Sequence, residues 1–245
     1  MSVHRISRGL DIPLAGAPAQ DAVHNAPATA SVGWVAADFP GLKAAVLVAV
    51  GDRVRRGTPL VEDKVNPGVR HMAAAGGTVA AIHRGERRRL ESIVIVVDAA
   101  ADSLPPPALA NASRTAFDAA GARALLLESG LWTALRTRPY SKVPAADASP
   151  HALFVTAIDT RPHAPDVDAV VAARLADFHA GLALVATLCP GTTYVCVAAD
   201  SRIEVPALER VAVERFAGPH PAGTAGLHIG VLDPVGGGRT AWHVG

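Results

Sequence analysis

The sequence predicts a two-part fold, an all-β module over residues 1–100 followed by a Rossmann-like, open parallel α/β layer over residues 113–245. Three observations predict it. In the first hundred residues the apolar runs are short, rich in valine and punctuated by glycine, the pattern of strands joined by tight turns. Three consecutive prolines, Pro105 to Pro107, then interrupt the chain within Ala99–Ala112. Successive prolines hold an extended connector in which no helix forms, so residues 101–112 are the expected linker. Beyond it, long helical segments alternate with short strand-like ones, the order that produces parallel strands with crossover helices.

Taken in chain order, strands are expected at Ala44–Val50, Thr58–Val61, Thr78–Ile82 and Ser92–Val97. Gly51-Asp52 and Gly57 turn the chain between them, glycine tolerating the positive φ such turns need. In the second part Phe117–Glu128 reads as a helix with Ser129-Gly130 as its stop. Ala152–Ile158 reads as a buried strand, Val167–Ala186 as one long helix and Thr193–Ala198 as a second buried strand. Pro206–Glu214 reads as a short helix with its proline in the first turn, and Leu227–Leu232 as a third strand. Asp159 and Asp166 follow the first of these strands, where α/β folds place functional groups, and Asp166 is expected to cap the next helix.

Composition excludes several classes. A formal net charge of +1 offers no overall field for nucleic acid or an acidic membrane surface. Cys189 and Cys196 are the two cysteines, with six residues between them and without neighbouring histidines, so neither a zinc nor an iron–sulfur signature is present. The start MSVHRISRGLDIPLAG lacks an apolar stretch of signal-peptide length. No window reaches the roughly 20 apolar residues of a membrane-spanning helix, so any membrane association is expected to come through partners.

The segment Val46–Lys64 alternates turn glycines with core valines and leucine, and with Ala73–Ile82 as its second half it resembles the barrel-sandwich hybrid module of biotinyl and lipoyl carriers. In that family a lysine at a hairpin tip bears a swinging prosthetic group, and Lys64 in VEDK sits near that place. The following Val65–Met72 is longer than such a hairpin, and the competing reading is a scaffold with an ordinary surface lysine.

A wider resemblance rests on RGLDIPLAGAP (Arg8–Pro18), EDKVNPGV (Glu62–Val69), AIHRGERRRLESIVI (Ala81–Ile95), ESGLWTALRTRPYSKVP (Glu128–Pro144), FAGPHPAGTAGLHIGVLDPV (Phe216–Val235) and Trp242-His243. Together, and in this order, they resemble the NqrA family, one of the subunits of the bacterial sodium-translocating NADH:ubiquinone oxidoreductase. That family continues well beyond this length, so the chain is expected to be an N-terminal fragment lacking the later β-grasp-like and helical parts. The resemblance implies a peripheral subunit on the cytoplasmic face of the inner membrane, with the integral membrane subunits as partners. It implies ubiquinone as substrate, with flavins and an iron–sulfur centre carried on other subunits. It also implies kinship with the flavin-bearing subunit of respiratory complex I, whose glycine-rich loop at a helix start would correspond to Ser129–Lys142. A phosphate cradle needs several glycines. Here only Gly130 is present, followed by Trp132, Leu135 and Arg136, so the cradle is expected to be plugged and the chain to hold no redox cofactor.

Trp132, Arg136, Arg138, Tyr140 and Lys142 form an aromatic and cationic set in which a quinone ring could stack and a guanidinium could donate to its carbonyl. The competing reading places Trp132 and Leu135 in the core and the arginines at an interface. His220 and His228 lie in the glycine- and proline-rich Gly218–Gly230 and are expected to hold that loop or a subunit surface. His243 is the nearest third ligand, and no metal is expected. No serine lies in a G-x-S-x-G elbow, and no catalytic residue is assigned. The alternative function is a carrier modified on Lys64; an iron–sulfur electron-transport subunit is disfavoured by the missing cysteines.

Overall fold

The computed structural model describes residues 3–20, 26–98 and 118–245; the expected linker at 101–112 and Phe117 lie outside them. The chain opens with β1 (Val3–Arg5), followed by β2 (Ser31–Val35), β3 (Ala44–Val46), β4 (Arg53–Val54), β5 (Pro59–Asp63), β6 (Arg70–Met72), β7 (Gly77–Arg84) and β8 (Leu90–Val97). From β2 onward these strands make two antiparallel sheets, β2-β8-β7-β4 and β3-β5-β6. Leu60, Val61, Val79, Ile93 and Ile95 fill the core between them. Strand alternation sets the faces: Ile93 and Ile95 are buried while Val96 is half exposed. This is the expected barrel-sandwich architecture. The run Ala44–Val50 yields a strand only as far as Val46, because Ala49–Asp52 is a turn, with the Asp52 carboxylate accepting from Ala49 N at 2.7 Å.

The α/β part comprises α1 (Ala119–Ser129), β9 (Arg136–Arg138), β10 (Ala152–Ala157), α2 (Val167–Ala172), α3 (Leu175–Ala186), β11 (Thr193–Ala198), β12 (Val211–Ala217), α4 (Ala225–Leu232) and β13 (Ala241–Val244). Its sheet has the order β1-β12-β11-β10-β13-β9, parallel throughout except for the antiparallel edge strand β9. The opposite edge is β1, so Val3–Arg5 pair with the second domain's sheet rather than with the β module that follows them. Asp118 caps α1 through Gly121 N at 2.7 Å, and Gly130 ends it with φ 78°. Asp166 caps α2 as expected, accepting from Asp168 N at 2.9 Å.

Three sequence expectations are corrected. Leu227–Leu232 belongs to helix α4, not a strand; a short run apolar on every side carries no period by which strand and helix can be told apart. Pro206–Glu214 is not a helix: Arg210 takes a positive φ of 59°, and Val211–Ala217 joins the sheet beside β11. Its valines and phenylalanine suit a pleated surface better than their proline-led start suggests. The single helix Val167–Ala186 is two, because Arg174 leaves helical geometry at φ −140°, ψ 41°, and its guanidinium pairs with Asp177.

At the carboxyl ends of the parallel strands, the place of ligand crevices in such sheets, the chain covers itself. The N-terminal segment crosses there, with Leu10 N donating to His220 O at 2.9 Å and Asp166 N donating to Gln20 Oε1 at 2.8 Å. A side chain at Gly223 would stand 2.6 Å from Thr160 N, directly after β10.

Candidate functional site

The stretch between α1 and β9 makes a single 3-10 turn, Leu131–Ala134. No α-helix starts at Gly130, which corrects the helix start implied by likeness to the flavin-bearing subunit; Gly130 closes α1, the stop expected at Ser129-Gly130. The space around it is occupied. Met72 of the β module lies so close that a methyl group on Gly130 would collide with its Cγ. Trp132 is 1% exposed, packs edge-on against Trp242 at 5.4 Å between centroids, and donates its indole N–H to Pro144 O at 2.9 Å. Leu135, Ala122, Leu126 and Leu188 share that core with Val69, which the loop between β5 and β6 contributes from the β module. Several converging backbone amides would be needed to seat a flavin phosphate; these residues form a packed core instead and do not fit one.

The five aromatic and cationic residues therefore separate. Trp132 is inside. Arg136 and Arg138, two apart on β9, point to the same face of the sheet, opposite to Trp242. The Arg136 guanidinium lies over the Phe39 ring at 4.9 Å and donates to Asp38 O at 3.2 Å. Tyr140 is 79% exposed and, with Ser141, adopts a left-handed backbone, φ 80° and 52°. That turn is tied by Thr137 N donating to Lys142 O and Ser141 N to Thr137 O. The Lys142 ammonium stands 5.9 Å from the Tyr140 centroid.

On the β-module side of Arg136, Trp34, Phe39 and His71 stack into one aromatic group, His71 meeting Phe39 at 4.2 Å and Trp34 at 5.2 Å. Burial holds the His71 imidazole down at about 4, against the pull of Asp63, and the charge of Arg136 adds to the fall. His243, opposite Arg136 in the β9/β13 ladder, is likewise held at about 4 by burial and by Arg138 and Arg136. Burial also lowers Arg136 itself, countered by Asp38.

His228 is fully buried, with Nε2 2.8 Å from Ala222 O and its ring against Phe216. His220 shares a hydrogen bond with Thr160 Oγ1 at 3.0 Å and accepts Leu10 N on its carbonyl. Among the described residues no three His, Cys, Asp or Glu side chains gather as a metal site. Lys64 is exposed in the turn after β5. That loop is anchored by Asp63, which accepts from Lys43 N, Val65 N and Asn66 Nδ2, and by Glu62, which accepts from Gly68 N.

Sequence-family models described as the NqrA N-terminal barrel-sandwich hybrid domain and the NqrA second alpha/beta domain match residues 4–98 and 117–245. The chain belongs to the NqrA family. Among its relatives, the NqrA subunit of the Na(+)-translocating NADH-quinone reductase of Serratia proteamaculans is 44% identical over 98% of this chain and 54% of its own length. The corresponding NqrA subunit from Neisseria meningitidis serogroup B is 42% identical over 98% of this chain and 53% of its own. The chain thus spans about half the length of the NqrA relatives it matches. Trp34 and His71 carried no signal in the NqrA-like motifs: both belong to the β module, far in sequence from β9, and only folding brings them to Arg136.

Proposed function

We propose that this chain is the front part of a peripheral, non-redox subunit of a sodium-translocating NADH:quinone reductase. In that reading it sits on the cytoplasmic face through the integral membrane subunits, while flavins and the iron–sulfur centre reside on partners. The single observation that supports a scaffold rather than an electron carrier is the filled space at Gly130, where Met72, Trp132 and Trp242 stand in place of a phosphate cradle. Consistent with attachment through partners, no helix among the described residues is long and apolar enough to cross a membrane.

Within that role, quinone contact falls to the Tyr140–Lys142 turn. A left-handed backbone at two successive non-glycine residues is held at some cost, and here it presents an exposed ring beside an ammonium group. The test is a ubiquinone titration of the full-length subunit carrying Tyr140→Ala or Lys142→Ala. Weakened binding with intact folding supports the contact; unchanged titrations for both reduce this subunit's role to assembly. Stoichiometric flavin in the purified subunit, or NADH oxidation by it alone, would overturn the non-redox reading.

The carrier alternative is disfavoured by Val69. A swinging lysine needs a free hairpin tip, whereas this loop is pinned into the α/β core by Val69, five residues beyond Lys64. Intact mass from the native host decides it: an added lipoyl or biotinyl mass would restore the carrier.

A further inference from the structure

We propose that the junction between the β module and β9 is a binding site for a small oxyanion, a carboxylate or a phosphate, held by Arg136 and Arg138. Five side-chain nitrogens around this junction are buried and have no hydrogen-bond partner among the described residues: Trp34 Nε1, His71 Nδ1, Arg136 Nη1, Arg138 Nε and His243 Nε2. His71, the most enclosed, is 2% exposed. Arg136 links the group, lying over Phe39 beside His71 on one side and facing His243 on the other.

The charge balance points the same way. Neither guanidinium has a carboxylate within 4.0 Å among the described residues, although both are half-buried on one strand face. The acids whose charge reaches this junction are otherwise engaged or only nearby: Asp63 accepts from Val65 N and Asn66 Nδ2 in its own loop and from Lys43 N beside it, and Asp38 meets Arg136 through its backbone oxygen. Half-buried like charges with no carboxylate in direct contact are costly. The indole and the two guanidinium nitrogens can only donate, and each neutral imidazole offers an N–H in one of its tautomers. A water molecule would accept two of these bonds but must donate its own protons and cancels no charge. An oxyanion accepts on every lone pair and neutralises the arginines. The chemistry therefore selects a small anionic acceptor, independently of whether the Tyr140 turn contacts quinone.

The probes are inorganic phosphate and succinate, added to the whole chain at constant ionic strength against sodium chloride, with the unfolding midpoint as readout. A ligand bound only by the folded state raises that midpoint with its concentration. A rise with either probe beyond chloride, and its loss in Arg138→Gln, is the expected result; the probe acting at lower concentration tells phosphate from carboxylate. Removing one charge-assisted hydrogen bond should weaken binding by about tenfold or more. Should Arg138→Gln not fold, Trp34→Phe keeps the ring stack and removes one donor, and a several-fold weakening is expected. No rise beyond chloride, or a full response in the folded variants, overturns the proposal.

Discussion

Met72 on β6 and Gly130 at the end of α1 are in such close contact that the β module and the α/β domain share one packed surface there. Gly130 also needs its positive φ of 78° to end the helix. Gly130→Ala therefore meets two obstacles, a left-handed backbone and a collision with Met72 Cγ. The expected loss is about 1–3 kcal/mol of unfolding free energy, read by chemical denaturation. Pairing it with Met72→Ala checks the cause: if the collision matters, the double variant should lose less than the sum of the two.

Trp132→Ala removes a ring that is 1% exposed and edge-on to Trp242. It should cost about 3–5 kcal/mol, which makes folding, not ligand affinity, its first effect. Trp132→Phe isolates the polar part. It keeps a ring but leaves Pro144 O without its donor, for a further loss of roughly 1 kcal/mol beyond the packing change. A stable, fully folded Trp132→Ala protein would show that the residue is not the keystone its burial implies.

How much of this was legible beforehand follows from where the information lies. Local patterns carried β3, β5, β7 and β8 of the β module, though not β2, β4 or β6, and also the Asp166 cap and the glycine stop of α1, because turn chemistry and capping are written within a few residues. The Leu227–Leu232 helix was not legible, since a buried helix and a buried strand present the same apolar run. Edge strands β1 and β9, of three residues each, owe their existence to partners far away in sequence. The same limit applies to the site. Arg136 and Arg138 were visible as a cationic pair, but Trp34 and His71 reach them only through tertiary packing. For Trp132 the sequence left ligand platform and core residue both open, because an indole in a basic loop shows no sign of the second indole behind it.

His71 and His243 give the fold a defined acid sensitivity. Both have folded-state values near 4, below the ordinary histidine value of 6.5. The unfolded chain thus binds more protons between those limits, so stability is fully present above about 6.5 and is lost as pH falls toward 4. At the steepest each histidine contributes about 1.4 kcal/mol per pH unit. Denaturation midpoints measured from pH 7 to pH 4 should fall more steeply for the parent than for His243→Gln, which cannot titrate. Equal slopes would mean that His243 is protonated as readily inside the fold as outside it.

Lys64 and Val69 share one loop but should respond oppositely to truncation. Lys64 is exposed, its backbone N–H alone engaged, donating to Lys43 O at 2.9 Å. Its charge has no assigned structural work, so Lys64→Ala should change stability by no more than about 0.5 kcal/mol. Val69 is 1% exposed among Ala122, Leu126, Trp132 and Trp242. Removing two of its methyl groups should cost about 2 kcal/mol from lost burial and the cavity left behind. Because Val69 is the β module's plug in the α/β core, Val69→Asp should go further and loosen the two parts, exposing α1 and its neighbours to proteolysis while the β-module core around Ile93 persists. Limited proteolysis followed by mass mapping reads this directly. Uncut, parent-like behaviour of Val69→Asp would show that the loop's docking does not hold the two parts together.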